Sequence, residues 1–499
     1  MTRDYATAIQ LLNSLQSNAN VLDAIRKSGN LINTQSLPEF RNYVMRIGYT
    51  AKDFDKLAII HIAGTKGKGS TSAFCDSILR QTRIANSDGT IRPLKTGMYT
   101  SPHLQEVRER IRINGAPVTK EQFAKHFFSV WDKLEQTKPA VIDQKHSDKP
   151  FYFRYLTLMS FELFLEENVD VVILEVGVGG EFDSTNVIEK PVVCGISSLG
   201  YDHVAILGNT IEKIAWHKAG IIKPGSPVVT SPQLPDAMTT IKKRAEELKA
   251  SKVIEISEES INELENIKLG LHGSHQRTNG ALAREICKQW ISSREASGLV
   301  FKNDPDYITH GLESASWPGR CQRIQSAEFK DIEWFVDGAH TPESLQVCAD
   351  WFKTIVLEST DAHLPTYLVF NCTHGRDPSL LLLPLVKVFQ TSSTLKGVVF
   401  CTNDPFSPSS VAAGAGSSDL TNNMVHADPE HKVQQDLARA WAALAKESSL
   451  PEVPITVMDS VESAAKFIST DRTGKKQVLV TGSLHLVGSV MTLLHAEVV

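Results

Sequence analysis

Three glycines and two lysines fall within seven residues, Gly64-Thr65-Lys66-Gly67-Lys68-Gly69-Ser70, and Thr71 follows. Glycines let backbone N–H groups converge on phosphate oxygens, and a helix that starts there adds the positive end of its dipole. Lys68 then reaches the β and γ phosphates, and a hydroxyl of Ser70 or Thr71 faces Mg²⁺. The spacing departs from a Walker loop at one point: Gly69 separates Lys68 from Ser70. The plainer alternative is a glycine-rich turn with solvated lysines.

Five further stretches carry more polar residues than packing needs. In YTSPHLQEVRERIRING (99–115), Ser101 precedes a proline, and Arg108 and Arg110 flank Glu109. A solvated, salt-bridged turn explains that stretch equally well. In ILEVGVGGEFDSTN (173–186), Glu175 ends an apolar run, where a carboxylate is costly unless paired or metal-bound. It reads as a Mg²⁺ ligand or a water-positioner, and Asp183, Thr185 and Asn186 offer polar groups to a ligand. In LGYDHVAILG (199–208), Asp202 and His203 follow a strand and suit a metal or substrate role, against a structural histidine. In IAWHKAGIIKPG (214–225), Lys218 lies in an apolar helical stretch. It is either a snorkelling surface lysine or a buried one, with a partner, a lowered pKa or a carbamate formed with CO₂. The fifth group, HGSHQRTNGALA (272–283), WPGRCQ (317–322) and FVDGAHTPES (335–344), holds Asn279, Arg320, Asp337 and His340. These suit a nucleotide clamped between two domains. FNCTHGRD (370–377) and TGSLHLVG (481–488) put further polar residues at strand ends, where open sheets bind ligands.

The elements that hold these groups alternate. Residues 4–47 are helical in pattern, Ala58–Ala63 is a short strand, and a helix starts at Ser70. Residues 82–97 read as a polar excursion before the strand in TGMYTSP. Helices at 119–135 and 153–167 lead to the strands 169–177 and 191–200, then a helix at 211–222, the strand in SPVVTS and a helix at 281–291. A second alternation begins near 333: EWFVDG, PESLQVCADWFKTI, TYLVFN, SLLLLPLVKVF, GVVFCT, and finally QVLVTG and HLVGSVMTLL. Strands alternating with helices predict an α/β chain with mainly parallel sheets. The expected division is 1–325 for a larger domain and 326–499 for a smaller, Rossmann-like one, with the linker at 321–333. The run 407–423 reads as a flexible surface loop.

The chain has 499 residues, 41% apolar and 22% charged, with 52 basic against 57 acidic side chains and a net charge of −5. That balance argues against nucleic acid as the main partner. Cys75, Cys194, Cys287, Cys321, Cys348, Cys372 and Cys401 form no CxxC pair and read as free thiols in a reducing compartment. No run reaches the roughly 18 apolar residues of a membrane span. The expectation is a cytoplasmic enzyme; an upstream start codon would add a targeting segment, and with it a mitochondrial isoform.

Taken in order, GTKGKGS, TSPHL, EVGVGGEFDSTN, DHVAILG, HKAGIIKPG, HQRTNGALA, WPGRCQ, DGAHTPES, FNCTHGRD and TGSLHLVG resemble the folylpolyglutamate synthase family of the Mur ligase superfamily. The resemblance runs from about residue 20 to the C-terminus, and the polar insertions look like those of eukaryotic members, fungal ones among them. It implies an ATP-dependent ligase that adds L-glutamate to the side-chain carboxylate of a folate's glutamate tail through an acyl phosphate. It implies that Gly64, Thr65, Lys66, Gly67, Lys68, Gly69, Ser70 and Thr71 hold ATP, with Asn279, Arg320, Asp337 and His340. It implies two Mg²⁺ sites built from Ser101, Glu175 and His203, with a monovalent cation as an option. Lys218 matches the family's carbamylated lysine and joins Lys68, Glu175 and His203 as catalytic. Arg110, Asp183, Thr185 and Asn186 are expected to meet the folate polyglutamate substrate, and Ser483 and His485 lie in a motif on the glutamate side. Two departures stand out: His217 where many relatives have Glu, and His374 in THGRD in place of the commoner TGDRD. A monomer is expected. Dihydrofolate synthase, or a bifunctional enzyme, is the alternative within ligases, and a non-catalytic nucleotide switch is the alternative outside them.

Overall fold

The computed structural model describes residues 2–16, 36–138, 148–358, 363–372, 376–390, 392–412, 419 and 430–497. His374 and most of the 407–423 run lie outside the described residues, as does part of the helical stretch expected over 4–47. The chain divides into two compact units: 1–102, 108–270 and 276–317 form the first, and 103–107, 271–275 and 318–499 the second.

In the first unit the strands are β1 (Ile60–Ala63), β2 (Arg83–Ala85), β3 (Ile91–Pro93), β4 (Thr96–Tyr99), β5 (Ile111–Ile113) and β6 (Ala116–Pro117). They continue with β7 (Val171–Glu175), β8 (Val193–Ile196), β9 (Val228–Thr230), β10 (Val253–Glu255) and β11 (Val300–Phe301). Eight of them form one sheet in the order β10-β9-β8-β1-β7-β4-β5-β6. It is parallel from β10 to β4, and β5 and β6 continue it antiparallel. All residues of β1, β4, β7 and β8 are buried, because helices cover both faces of a parallel sheet. The apolar run VVILE therefore needs no polar alternation.

Three sequence expectations are corrected here. Ala58 and Ile59 do not join β1: Ala58 adopts a left-handed backbone (φ 43°) that closes the turn Ala51–Leu57. The 82–97 excursion is a hairpin, in which β2 pairs antiparallel with both β3 and β11. The helix after the glycine loop begins at Lys68, with Gly67 as its N-cap, and runs to Arg80.

The second unit holds β12 (Gln322–Gln325), β13 (Ile332–Val336), β14 (Thr366–Phe370), β15 (Leu395–Cys401), β16 (Ile455–Met458) and β17 (Lys476–Thr481). The sheet order is β12-β13-β17-β14-β15-β16, parallel except for β12. Residues 321–325 were placed with the first domain or its linker, yet β12 pairs with β13 through Ile324 and Trp334 and so belongs to this sheet. Side chains alternate across it. Phe335, Leu368, Phe400 and Leu479 pack under the helices Pro342–Phe352, Pro378–Phe389 and Lys432–Glu447. Trp334, Val369, Val399 and Val480 pack under Val461–Ser469 and Leu484–Leu493. Within 407–423, Pro408–Ala412 is helical and Asp419 is buried, its carboxylate accepting from Val107 N at 3.2 Å.

Candidate functional site

Strand neighbours decide which polar residues meet. In the first unit β1 lies between β7 and β8, with Ile62 opposite Glu175 and Ala63 opposite Ile196. On the far side of β7, Tyr99 of β4 stands opposite Leu174. The carboxyl ends of four parallel strands thus deliver Ser101, Glu175, the 64–71 loop and the 197–203 segment to one edge. Open α/β sheets bind ligands at that edge.

The loop is held at both flanks. Thr65 N and Lys66 N both donate to Ser198 O at 3.0 Å, and Ser197 Oγ donates to Lys66 O at 2.7 Å. A Cβ on Gly64 would overlap Ser197 Oγ, so no larger residue fits there. Gly67 has φ 83°, a conformation glycine reaches without strain, and a Cβ on it would overlap Asn279 Oδ1. Asn279 Nδ2 donates to Gln276 Oε1 at 2.9 Å, and Gln276 Nε2 donates to Ser70 Oγ at 3.3 Å. Both residues stand in the first turns of the helix His275–Ala296, which starts six residues earlier than the sequence reading placed it.

The first turn of an α-helix leaves its N–H groups without intrahelical partners, which suits an anion over Lys68–Ser70. Thr71 Oγ1 and Ser72 Oγ are buried and, among the described residues, have no hydrogen-bond partner. A buried hydroxyl without a partner costs about 1–3 kcal/mol. That cost is removed when a ligand or its cation supplies the contact. The loop is therefore built for a group that comes from outside the chain.

Lys218 is 4% exposed, which removes the snorkelling alternative. It sits near the end of the helix Ile211–Ala219, and its Nζ donates to Gly64 O at 2.7 Å. Burial first, and then the charge of Lys68, push its pKa well below the ordinary lysine value. His217 beside it is buried and also lowered, by burial and then by Lys218 and Arg244.

Glu175 is buried, and its Oε2 accepts from Ser101 N at 3.0 Å. His203 is exposed, in a left-handed backbone (φ 50°), and its amide donates to Asp202 Oδ1 at 2.9 Å. Asp202 Oδ2 stands 3.7 Å from Lys66 Nζ, and Thr65 Oγ1 donates to Gly200 O at 3.1 Å. These two contacts tie the His203 segment to the loop.

The residues expected to meet substrate sit differently. Asp183 Oδ1 accepts from Thr185 N at 3.0 Å and Thr185 Oγ1 at 2.6 Å, and Oδ2 accepts from Val178 N at 3.0 Å. Burial raises the Asp183 pKa, and these donors pull it back. Asn186 Nδ2 donates to Glu181 O and Gly220 O, each at 3.0 Å. Arg110 is buried with its guanidinium 5.6 Å from the centre of the Tyr152 ring. With Glu109 also buried, the 108–110 turn is not the solvated one that the sequence left open.

The second unit repeats the pattern. β13, β17 and β14 are adjacent, so Asp337, Ser483 and Asn371 emerge at neighbouring carboxyl ends. Asp337 accepts from Cys321 N and Ala339 N, each at 2.8 Å. A Cβ on Gly338 would stand 2.8 Å from Arg320 Nη1, and Arg320 Nη1 donates to Gly319 O at 3.1 Å. His340 Nδ1 lies 2.9 Å from Gly338 O. Ser483 caps the last helix by accepting from His485 N at 3.2 Å. Ser197, Ser198, Ser72 and Gln276 were missed from sequence. The pair SS after PVVCGI, at a strand end, was the available signal.

Residues 320–493 match the family model described as dihydrofolate synthetase, C-terminal domain. A probable folylpolyglutamate synthase of Schizosaccharomyces pombe is 42% identical over 506 residues, spanning 100% of this chain and 95% of its own. A folylpolyglutamate synthase of Saccharomyces cerevisiae is 40% identical over 500 residues, spanning 98% of this chain and 86% of its own. Among solved structures, Mycobacterium tuberculosis folylpolyglutamate synthase complexed with ADP superposes with a TM-score of 0.72 at 23% identity, over 99% of this chain and 100% of that one. That last likeness speaks for the fold, while identity of 40% or more over essentially the whole chain speaks for descent. The chain belongs to the folylpolyglutamate synthase family.

Proposed function

We propose that the chain is an ATP-dependent ligase that joins L-glutamate to the γ-carboxylate of a folyl-(poly)glutamate. The observation that carries this reading is the 64–71 loop, with Lys68 above it, the unpartnered hydroxyls of Thr71 and Ser72 beneath it, and Lys218 on its first carbonyl. A carboxylate is a poor acyl donor at neutral pH. Phosphoryl transfer from ATP makes it an acyl phosphate, the glutamate amine attacks the acyl carbon, and phosphate leaves. The first step brings an anionic nucleophile to an anionic phosphate. Lys68 and the loop amides lower that repulsion, and the loop backbone is held in place before the reaction begins.

Ser101, Glu175 and His203, with the Thr71 hydroxyl, are the residues that would hold Mg²⁺; the buried Glu175 carboxylate and the unpartnered Thr71 Oγ1 fit a hard oxygen-seeking cation. When bound, Mg²⁺ neutralises phosphate charge. Asn279 braces the loop, and Arg320, Asp337 and His340 are the nucleotide contacts of the second unit. Arg110, Asp183, Thr185 and Asn186 frame the folate side, and Ser483 and His485 the glutamate side.

The lowered pKa of Lys218 supports a carbamate, because the neutral amine is the form that attacks CO₂. A nitrogen–carbon bond forms as one carbon–oxygen π bond of CO₂ opens, one proton leaves the nitrogen, and the neutral amine becomes an anionic carbamate. A ¹³C carbamate signal with labelled bicarbonate, absent in Lys218→Gln, is the expected result. The seven buried cysteines, none in a disulfide, support a reducing, cytoplasmic setting.

The test is ADP release with MgATP and L-glutamate, comparing tetrahydrofolate with dihydropteroate as acceptor, followed by product mass. One added glutamyl unit on tetrahydrofolate alone is expected. Turnover with dihydropteroate favours the second reading, a dihydrofolate synthase or bifunctional enzyme, which the description of the family model over 320–493 supports. No turnover with either acceptor overturns the ligase and leaves a nucleotide switch.

A further inference from the structure

Among the described residues, a second set of buried polar atoms in the first unit lacks hydrogen-bond partners. His126 lies on the helix Lys120–Gln136, and Glu162 and Glu166 lie four residues apart on one face of the helix Tyr152–Glu166. His126 and Glu162 are both 0% exposed, whereas Glu166 reaches solvent. Among the described residues, neither ring nitrogen of His126 has a hydrogen-bond partner, and nor does Glu162 Oε1. One ligand atom from each of the three residues lies within 4.8 Å of the other two. His126 Nδ1 stands 3.8 Å from Glu166 Oε2, beyond hydrogen-bond reach.

We propose that His126, Glu162 and Glu166 form a binding site for a divalent transition-metal ion of the zinc class, bridging the two helices. One imidazole and two carboxylates are a donor set that zinc accepts, with water completing four-coordination. Ligands about 2.0–2.2 Å from zinc stand about 3.4 Å from each other, so closing the site takes shifts of about an ångström. Glu166, at the end of its helix and exposed, supplies that freedom. Lys133 Nζ holds Glu162 Oε2 at 3.0 Å and leaves Oε1 for the ion, the kind of outer contact that orients a ligating carboxylate. Lys125 Nζ holds Glu166 Oε2 at 3.1 Å; its side chain is 65% exposed and swings away at little cost.

The ligase reaction uses none of these residues, so binding and turnover separate. The full chain is stripped with a chelator and titrated calorimetrically with zinc chloride as the only divalent ion and no nucleotide. The wild type is compared with His126→Ala and Glu166→Gln, because the reaction site also offers oxygen ligands. The expected result is one equivalent of zinc bound by the wild type that both variants bind at least roughly tenfold more weakly, with ADP formation under MgATP changed less than about twofold. Equal stoichiometry and affinity in all three proteins overturn the site and leave water or a proton on His126. Should His126→Ala fail to fold, Glu166→Gln, altered only at the surface, decides the comparison.

Discussion

Two glycine-rich stretches follow neighbouring strands of the same sheet, and their buried polar atoms behave in opposite ways. After β1, the 64–71 loop leaves Thr71 Oγ1 and Ser72 Oγ without partners. After β7, the 177–187 segment pairs its polar groups within the protein: Asp183 takes three donors from the segment, and Asn186 donates to Glu181 O and Gly220 O. Among the described residues, Asn186 Oδ1 is the atom of that segment left without a partner. Buried groups without partners mark where a ligand enters, and buried groups with partners mark scaffold. By that criterion the first loop leaves polar atoms open to a ligand, while the hydrogen bonds of the second hold its own shape.

The largest effect tests the first half of the comparison. Lys68→Ala should lower kcat/KM for ATP by roughly 10- to 150-fold, since a charge-assisted donor to phosphate contributes about 1.5–3 kcal/mol. The melting temperature should stay put, because no partner in the protein is lost. Near-normal turnover would remove the phosphate loop from the mechanism.

Next comes Asp183→Ala, which takes the acceptor from Val178 N, Thr185 N and the Thr185 hydroxyl proton. A destabilisation of about 2 kcal/mol is expected in urea unfolding. A raised KM for folate with unchanged stability would instead make Asp183 a substrate contact and erase the contrast between the loops. The smaller effect of Thr71→Val runs the other way. Removing a buried hydroxyl that has no partner should leave stability unchanged or slightly higher. Turnover should still fall by roughly tenfold if that hydroxyl faces the cation on ATP. A loss of stability in Thr71→Val would show that the hydroxyl is already paired.

The glycine-lysine loop was legible because its residue types have no packing use, and Glu175 because a carboxylate at the end of VVILE is conspicuous. Lys218 was legible only as a choice, since HKAGII fits a surface or a buried helix equally, and 4% exposure decides it. The braces Ser198 and Gln276 were invisible because they act across 133 and 206 residues of sequence, set by strand order and by where a helix begins. The hydrogen bonds among Asp183, Thr185 and Val178 were not legible, because polarity in a sequence does not say which partner satisfies it. The hairpin at 82–97 was missed for a related reason: β2 is short, and its second partner, β11, lies more than 200 residues away.

The smallest effect tests the scaffold half by pH. His61 on β1 is fully buried, and its Nε2 lies 3.0 Å from Thr185 Oγ1. That hydroxyl gives its proton to Asp183 Oδ1 at 2.6 Å, so it accepts from His61, which must carry its proton on Nε2. His61 Nδ1 then has neither proton nor partner. Burial first, and then Lys223, hold the His61 pKa down at about 3. The unfolded chain, with a histidine pKa near 6.5, takes up a proton that the folded chain refuses over the interval between about 3 and 6.5. Stability from this residue is therefore complete above pH 6.5 and declines as pH falls below it. Between pH 7.5 and 5.5 the loss should be about 1 kcal/mol. Urea midpoints of the wild type and His61→Gln, measured at both pH values, isolate that share, because glutamine does not titrate and every other histidine is common to both. Parallel pH slopes would mean that His61 accepts a proton inside the fold, and that the frame behind the 177–187 segment is open to water.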